Sequence, residues 1–237
     1  MNIDWIAFDA DDTLWENEEV YRQGRDRCRE ILNKYAADAP IDQVVDRIEV
    51  NNLPYYGYGV MSFILSLLEA GVELAGKDLR EKDVQELLDL GKKMLTQPPR
   101  VFKGVLEMLS FLGGSYSLML ITKGDLFHQQ RKIKDSGLEK YFQEIEIVAE
   151  KTPATYQEIL RRHHIRAEHF LMVGNSLRSD IKPVVNQGGW AIHVSEHLSW
   201  DHEDADLTAE EEERVIDVGR VEQVAEVLER LTAEKSG

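Results

Sequence analysis

Near the start of this chain Asp9, Asp11 and Asp12 stand within four residues, and Thr13 follows. Three carboxylates so close repel one another unless a cation or a proton offsets them. A hard divalent cation such as Mg2+ takes oxygen ligands, typically one or two carboxylates with substrate phosphate, so phosphoryl chemistry is one reading. An acidic turn that caps a helix is the other, because Asp and Thr are good N-caps. Three further places set polar side chains behind an apolar run. Leu118–Ile121 leads into Thr122, Lys123 and Gly124, where a hydroxyl beside open backbone N–H groups and a glycine suits a phosphate. A simple turn is the plainer reading of the same residues. Lys151 lies in Glu150-Lys151-Thr152-Pro153, placed to aim an ammonium at an anion or to rest in solvent. Phe170–Gly174 leads into Asn175 and, five residues on, Asp180.

The element that must present the first acids is Ile3–Phe8. Isoleucine, tryptophan and phenylalanine dominate it, which suits a buried strand, and aspartate ends it near Asp9. In open parallel α/β sheets, ligands bind beyond the carboxyl ends of strands. Helical spacing then occupies Glu16–Asn33, Ile41–Val50, Val60–Ala70 and Asp83–Leu95. Turn signals fall at Asn51–Pro54, and stops at Gly71 and Gln97–Pro99. No convincing strand lies among these helices. From Val101 the rhythm is helix Gly104–Leu112, strand Ser117–Thr122, helix Leu126–Ser136, strand Ile145–Ala149 and helix Thr155–His163. It continues with strand Phe170–Gly174, helix Ile181–Asn186, strands Trp190–Val194 and Val215–Val218, and a closing helix Val221–Leu231. Such alternation implies a parallel sheet covered on both faces, interrupted after its first strand by a helical block.

Asp9-x-Asp11-x-Thr13 after an apolar strand resembles the first motif of the haloacid dehalogenase (HAD) superfamily, most of whose members are phosphatases. The later family motifs follow in order: a strand ending in Thr122, Lys151 with Pro153 close behind, and Gly174 leading to Asn175 and Asp180. The resemblance covers nearly the whole chain. It implies an α/β fold with a Rossmann-like parallel-sheet core, residues 1–15 and 99–237, and an inserted all-helical cap, residues 16–98.

The same resemblance implies roles. Asp9 is the nucleophile that becomes an aspartyl-phosphate, and Asp11 is the general acid/base, with its backbone carbonyl on the metal. Thr122, Lys123 and Lys151 bind the substrate phosphate, Thr122 and Lys151 holding the transferring phosphoryl group, and Lys151 screens its repulsion with the nucleophile. The cofactor implied is Mg2+, with Asp9, Asp11, Asn175 and Asp180 as its ligand set. Asn175 departs from the family's aspartate, since a neutral amide oxygen adds no charge and leaves Asp180 to supply more of it. The implied substrate is a small phosphorylated metabolite, a phosphate monoester, and the cap closes over it to exclude water. Dehalogenases share the fold but have no metal and use no second Asp. Phosphonatases recruit a cap lysine, yet Lys34, Lys77, Lys82, Lys92 and Lys93 lack the apolar setting that depresses a lysine pKa. A non-catalytic binding protein of this fold is the third alternative, with Asn175 as its support.

Composition bounds the rest. The 237 residues are 43% hydrophobic and 30% charged, which suits one sizeable domain or a domain with an insert. Forty-four acids against 28 Lys and Arg leave a net charge of −16, which argues against nucleic acid as a partner. No apolar run reaches the roughly 18 residues of a spanning helix, so no membrane partner is expected. Asp4 interrupts the apolar start and no basic stretch precedes it, so it does not read as a signal peptide and a cytoplasmic protein is expected. Cys28, the only cysteine, sits among Arg25, Arg27 and Arg29 and reads as a bystander on a helix face. Between Asp201 and Glu213 there are eight acids and no Lys or Arg, which reads as a solvated loop or helix start and not as a site. Tyr55, Tyr56 and Tyr58 suggest a stacking wall or a packed helix junction, while His193, His197, Trp200 and His202 receive no role. The sequence carries no signal of oligomeric state.

Overall fold

The short apolar runs become strands that sit side by side in register, and this brings their polar ends to one edge. The computed structural model describes residues 2–195, 203 and 205–233. The chain opens with β1 (Trp5–Phe8) and β2 (Trp15–Glu16). Four helices follow: α1 (Glu18–Leu32), α2 (Ile41–Tyr56), α3 (Val60–Ala75) and α4 (Glu81–Thr96). Then come β3 (Arg100–Val101), α5 (Val105–Leu112), β4 (Ser117–Lys123), α6 (Leu126–Ser136), β5 (Glu144–Val148) and α7 (Pro153–Arg162). The rest is β6 (Phe170–Gly174), a π turn (Leu177–Ile181), α8 (Lys182–Val185), β7 (Trp190–Val194), α9 (Ala209–Glu212), β8 (Val215–Val218) and α10 (Gln223–Ala233).

Six strands form one sheet in the order β5-β4-β1-β6-β7-β8, and every pairing is parallel. The chain builds outward from β1 to one side through β4 and β5, then crosses back to build the other side from β6. β1 is therefore the switch point, where an open parallel sheet leaves a crevice at its carboxyl edge. The register is level there: Phe8 lies opposite Leu120 on β4 and Val173 on β6.

Alternation along the strands feeds two cores. Ile6, Phe8, Leu118, Leu120, Leu171 and Val173 pack with Val105 and Leu109 of α5 and Val224 and Leu228 of α10. Ala7, Met119, Ile121, Phe170 and Met172 pack with Tyr156 and Ile159 of α7 and Val184 of α8. Both faces are apolar because both are covered by helices, so the strands read as continuous hydrophobic runs.

Two compact units divide the chain. The sheet unit takes Met1–Glu18, Pro99–Lys123 and Gln130–Gly237, and the second takes Glu19–Pro98 with Gly124–Gln129. The second is all helical, with its own core of Cys28, Ile31, Leu32, Val45, Ile48, Phe63, Leu67, Leu87 and Met94. Cys28 is buried there and burial pushes its thiol up to about 12, which makes it unreactive.

Three expectations are corrected. α2 runs on through Asn51–Pro54 to Tyr56. Pro54 falls in its last turn, where little of the hydrogen-bond ladder is lost, and the Asn52 amide is satisfied by Ser66 and Glu69 of α3. α3 passes through Gly71 and stops at Gly76, whose φ is 53°. At Gly71 a Cβ would meet Leu79 and Leu32 at 3.4–3.7 Å, ordinary contact distances, and the helix runs through it without a break. The helices are also flanked by an antiparallel ribbon: Trp15 pairs with Val101 and Glu16 with Arg100. Two-residue strands show no periodicity, which is why the sequence does not reveal them.

The α3–α4 contact in the helical unit is close enough to test. A Cβ at Gly91 would sit 2.6 Å from Ile64 Cγ1. Gly91→Ala should cost about 1–3 kcal/mol in urea unfolding through overpacking, although alanine is the better helix former. Adding Ile64→Ala, which takes Cγ1 away, should relieve the clash, so the double variant should lose less than the two single losses added together. A Gly91→Ala protein as stable as wild type would show that this helix pair gives way freely.

Candidate active site

The loop after β1 sends its three aspartates in different directions. Asp9 N–H donates to the Val173 carbonyl at 2.8 Å and keeps the β1–β6 alignment to the strand's end. The chain then turns tightly, with Leu14 N–H on the Ala10 carbonyl and Asp12 N–H on the Trp15 carbonyl, both at 2.8 Å. Asp12 takes a left-handed conformation with φ 59°, which aspartate tolerates better than most residues. Its carboxylate accepts the backbone N–H groups of Asn17 and Glu18 at 2.9 Å, at the start of α1. The capping reading therefore belongs to Asp12. Burial pushes its carboxyl up to about 7, against the pull of those two N–H donors.

Asp9 faces into the sheet edge. Lys151 Nζ donates to Asp9 Oδ1 at 2.5 Å and to Asp180 Oδ1 at 2.6 Å. The other oxygen of Asp180 accepts the Ser176 N–H at 3.1 Å. All three side chains are at least nine-tenths buried. One ammonium thus stands between two carboxylates away from water. Burial pushes the Asp9 carboxyl up to about 7; Asp180 and Asp11 add to the rise and Lys151 opposes it. For Lys151 burial disfavours the charge, but the two carboxylates outweigh it and hold the ammonium well above its ordinary range.

Asp11 belongs to a separate network. Lys132 Nζ, from α6, donates to its two oxygens at 2.6 and 2.7 Å, and Trp15 Nε1 donates to Oδ1 at 2.6 Å. Thr122, buried, is the last residue but one of β4, the strand beside β1. Lys123 is turned toward the loop after β6: its ammonium donates to Ser179 Oγ at 2.9 Å and to Glu203. Ser176 and Ser179 hydroxyls donate to Glu203 Oε2 at 2.6 and 2.5 Å. Burial works against ionising Glu203, yet Lys123 and the two hydroxyls hold its carboxyl below the usual range. Glu203 comes from the acidic run read as a solvated loop or helix start, a reading corrected here: it is drawn in by the half-buried Lys123. His197, Trp200 and His202 lie outside the described residues. His193 bridges Asp217 Oδ1 at 2.8 Å and the Asn175 carbonyl at 3.2 Å through its two ring nitrogens.

Asp180 is carried by the π turn, which Ser176 caps by accepting the Ser179 N–H at 2.9 Å. The approach is so close that a Cβ at Gly174 would lie 2.3 Å from Asp180 Oδ2. Only glycine at the end of β6 leaves that carboxylate its place.

The donor set suits a hard cation. Asp9 offers a carboxylate, Asn175 an amide oxygen that accepts Thr13 Oγ1 at 3.3 Å, and Asp11 a backbone carbonyl. Among the described residues no three His, Cys, Asp or Glu side chains form a cage, and Mg2+ typically takes one or two carboxylates with waters and phosphate. Asp180 is engaged by Lys151 and Ser176.

The structure thus gathers Asp9, Lys151 and Asp180, sets Asp11 apart, and commits Lys123 to Glu203. Lys132, Trp15, Ser176, Ser179 and Glu203 are not picked out in the sequence. Lys132 had a signal: His128, Gln129, Lys132 and Ile133 form the buried stripe of α6, and three of the four are polar. Glu203 had none.

A parallel sheet that converges carboxylates and a lysine on the end of its first strand defines a class of hydrolase. The family model for haloacid dehalogenase-like hydrolases matches residues 3–186, and the chain belongs to that family. A haloacid dehalogenase-like hydrolase from Xanthomonas campestris is 36% identical and has the same architecture, with a TM-score of 0.87 over 98% of this chain and 97% of that one. YfnB of Bacillus subtilis (strain 168), named for its family as a HAD-hydrolase, is 28% identical over 129 residues, 51% of this chain and 50% of its own. The chain thus spans about half the length of this curated relative. A magnesium-bound crystal structure of YfnB shares the fold at a TM-score of 0.63 and 18% identity, over 97% of this chain and all of that one. A 2-haloacid dehalogenase from Pseudomonas syringae pv. Tomato DC3000 does so at 0.62 and 22%, over 97% and 99%.

The raised Asp9 carboxyl has a consequence for stability. Its pKa is about 7 in the fold against 3.8 for the free side chain, so the fold binds this proton more tightly than the unfolded chain does. What this group contributes to stability is therefore fully present below about pH 4 and is lost as pH rises through 7. Asp9→Asn removes the cost and leaves Lys151 paired with Asp180. At pH 8, without divalent cation, the variant should be more stable by on the order of 2 kcal/mol, read as a higher melting temperature. The gain should shrink toward zero near pH 4. Equal melting temperatures at pH 8 would mean that Asp9 is not held at an electrostatic cost.

Proposed function

We propose that the protein is a Mg2+-dependent phosphatase that hydrolyses small phosphate monoesters through an aspartyl-phosphate on Asp9. The observation that carries the reading is that two carboxylates two residues apart are held by different lysines. Asp9 is paired with Lys151, and Asp11 with Lys132 and Trp15. A nucleophile and a proton carrier need different surroundings, and a carboxylate pair split in this way supplies both. A dehalogenase needs only the first of them.

In this mechanism a carboxylate oxygen of Asp9 attacks phosphorus in line, the bond to the leaving oxygen breaks, and Asp11 delivers a proton to it. Water then attacks the acyl phosphate, Asp11 takes its proton, and phosphate leaves with Asp9 restored. Lys151 offsets the charge that gathers between Asp9 and the phosphoryl oxygens. The Thr122 hydroxyl binds a phosphoryl oxygen, and Lys123 adds positive potential beside it. Asp9, the Asp11 carbonyl and Asn175 would hold Mg2+, with Asp180 behind them, and the ion supplies charge neutralisation of the phosphoryl group.

The partner is a small phosphorylated metabolite, in keeping with the −16 net charge that disfavours nucleic acid. Among the described residues no helix is long and apolar enough to cross a membrane. The all-helical unit is proposed as the cap that sets specificity. The phosphonatase alternative has little support: Lys34 is paired with Asp83 and Lys92 with Asp89, in polar and not apolar settings.

Phosphate release from p-nitrophenyl phosphate and a panel of sugar and nucleoside monophosphates tests this directly. Release should require Mg2+, stop in excess EDTA, and fall at least about 10⁴-fold in Asp9→Asn. Undiminished release from that variant would sink the covalent mechanism. Halide release from a 2-haloacid in place of phosphate release would move the assignment to the dehalogenases.

A further inference from the structure

We propose that Lys132 is a positioning residue for Asp11: it holds the acid/base carboxylate in its working place. The proposal rests on the phosphatase reading for what Asp11 does, but not for where Asp11 is held. A carboxylate on a single methylene turns about two torsions, and proton transfer demands that it lie within hydrogen-bond reach of the reacting oxygen. Here the carboxylate is gripped on both oxygens by one ammonium, at 2.6 and 2.7 Å, and on Oδ1 by the Trp15 indole at 2.6 Å. Charge-assisted bonds of this length are the strong class. Lys132 Nζ also donates to Asn17 Oδ1 at 3.2 Å, so the ammonium spans Asp11 and Asn17.

The holders come from two directions. Trp15 is the first residue of β2, six residues after Asp9, while Lys132 stands on α6, the helix that follows the Thr122 strand. The Lys132 side chain is 9% exposed. A buried lysine is retained at such a cost only when its charge is satisfied, and here the satisfying group is the Asp11 carboxylate. The arrangement ties the placement of the proton carrier to the same β4–α6 segment that ends in the proposed phosphate contact.

The test separates positioning from mere packing. In a ¹⁵N-labelled sample, the Trp15 indole N–H, assigned with Trp15→Phe, reports its bond to Asp11. Lys132→Met should move this resonance most of the way to its position in Asp11→Ala, and Lys132→Arg should return it toward wild type. Should Lys132→Met fail to fold, Lys132→Gln serves in its place. An indole signal unmoved by removing Lys132 overturns the proposal.

Turnover gives the second arm. Lys132→Met should lower kcat by about 10- to 100-fold, within the range of general acid–base catalysis, with KM changed less than about twofold. Added to Asp11→Asn, it should cost nothing more, because residues that act through one another are non-additive. The same loss in both backgrounds overturns the proposal. If wild type releases no phosphate from any ester, the phosphatase reading fails alone, and the indole signal still decides whether Lys132 positions Asp11.

Discussion

The structure depends on one buried charge balance: Lys151 between Asp9 and Asp180 at the carboxyl end of β1. Three ionised groups away from water are tolerable only when each is paired and hydrogen-bonded. The fold meets that demand from three elements at once. β1 supplies Asp9, the start of α7 supplies Lys151 just before its Thr152 cap, and the π turn supplies Asp180. Burial still pushes the Asp9 carboxyl up to about 7, against the pull of Lys151 and with the Asp180 and Asp11 charges adding to the rise.

The loop after β1 solves a second problem. Three acids in four residues repel, and the left-handed turn at Asp12 lets each take a different counter-group. Asp9 takes Lys151, Asp11 takes Lys132 and Trp15, and Asp12 takes two backbone N–H groups at the helix start. The same turn that relieves repulsion also gives neighbouring carboxylates unlike surroundings. Beyond β6 the pattern repeats in small: Gly174 leaves room for Asp180, and Ser176 and Ser179 serve both the turn and Glu203.

The helical unit is built by a different rule. Its core is apolar, and its buried acids are answered locally: Asp83 by Lys34, Arg80 and Tyr35, and Glu49 by Arg25. That it also gathers Gly124–Gln129, the loop after β4 and the first turn of α6, is a feature of contacts and not of chain order.

By itself the sequence determined the sheet and the acids at its edge. Apolar runs in β1, β4, β6 and β7 can only be buried, and aspartate, threonine or glycine at their ends marks where they stop, so parallel strands and a polar carboxyl edge follow from composition and period. Asp9, Asp11, Thr122, Lys151, Asn175 and Asp180 were legible because each closes or follows such a run. The tertiary structure alone decided which charges meet. Lys132 lies 121 residues from Asp11, and Glu203 80 from Lys123, and no local pattern links them. A helix register chooses the lysine, and the half-buried Lys123 ammonium draws Glu203 from a run of eight acids. The β2–β3 ribbon and the last turns of α2 and α3 belong to the same class. Their hydrogen bonds and packing partners come from distant residues, so local propensity could not reveal them.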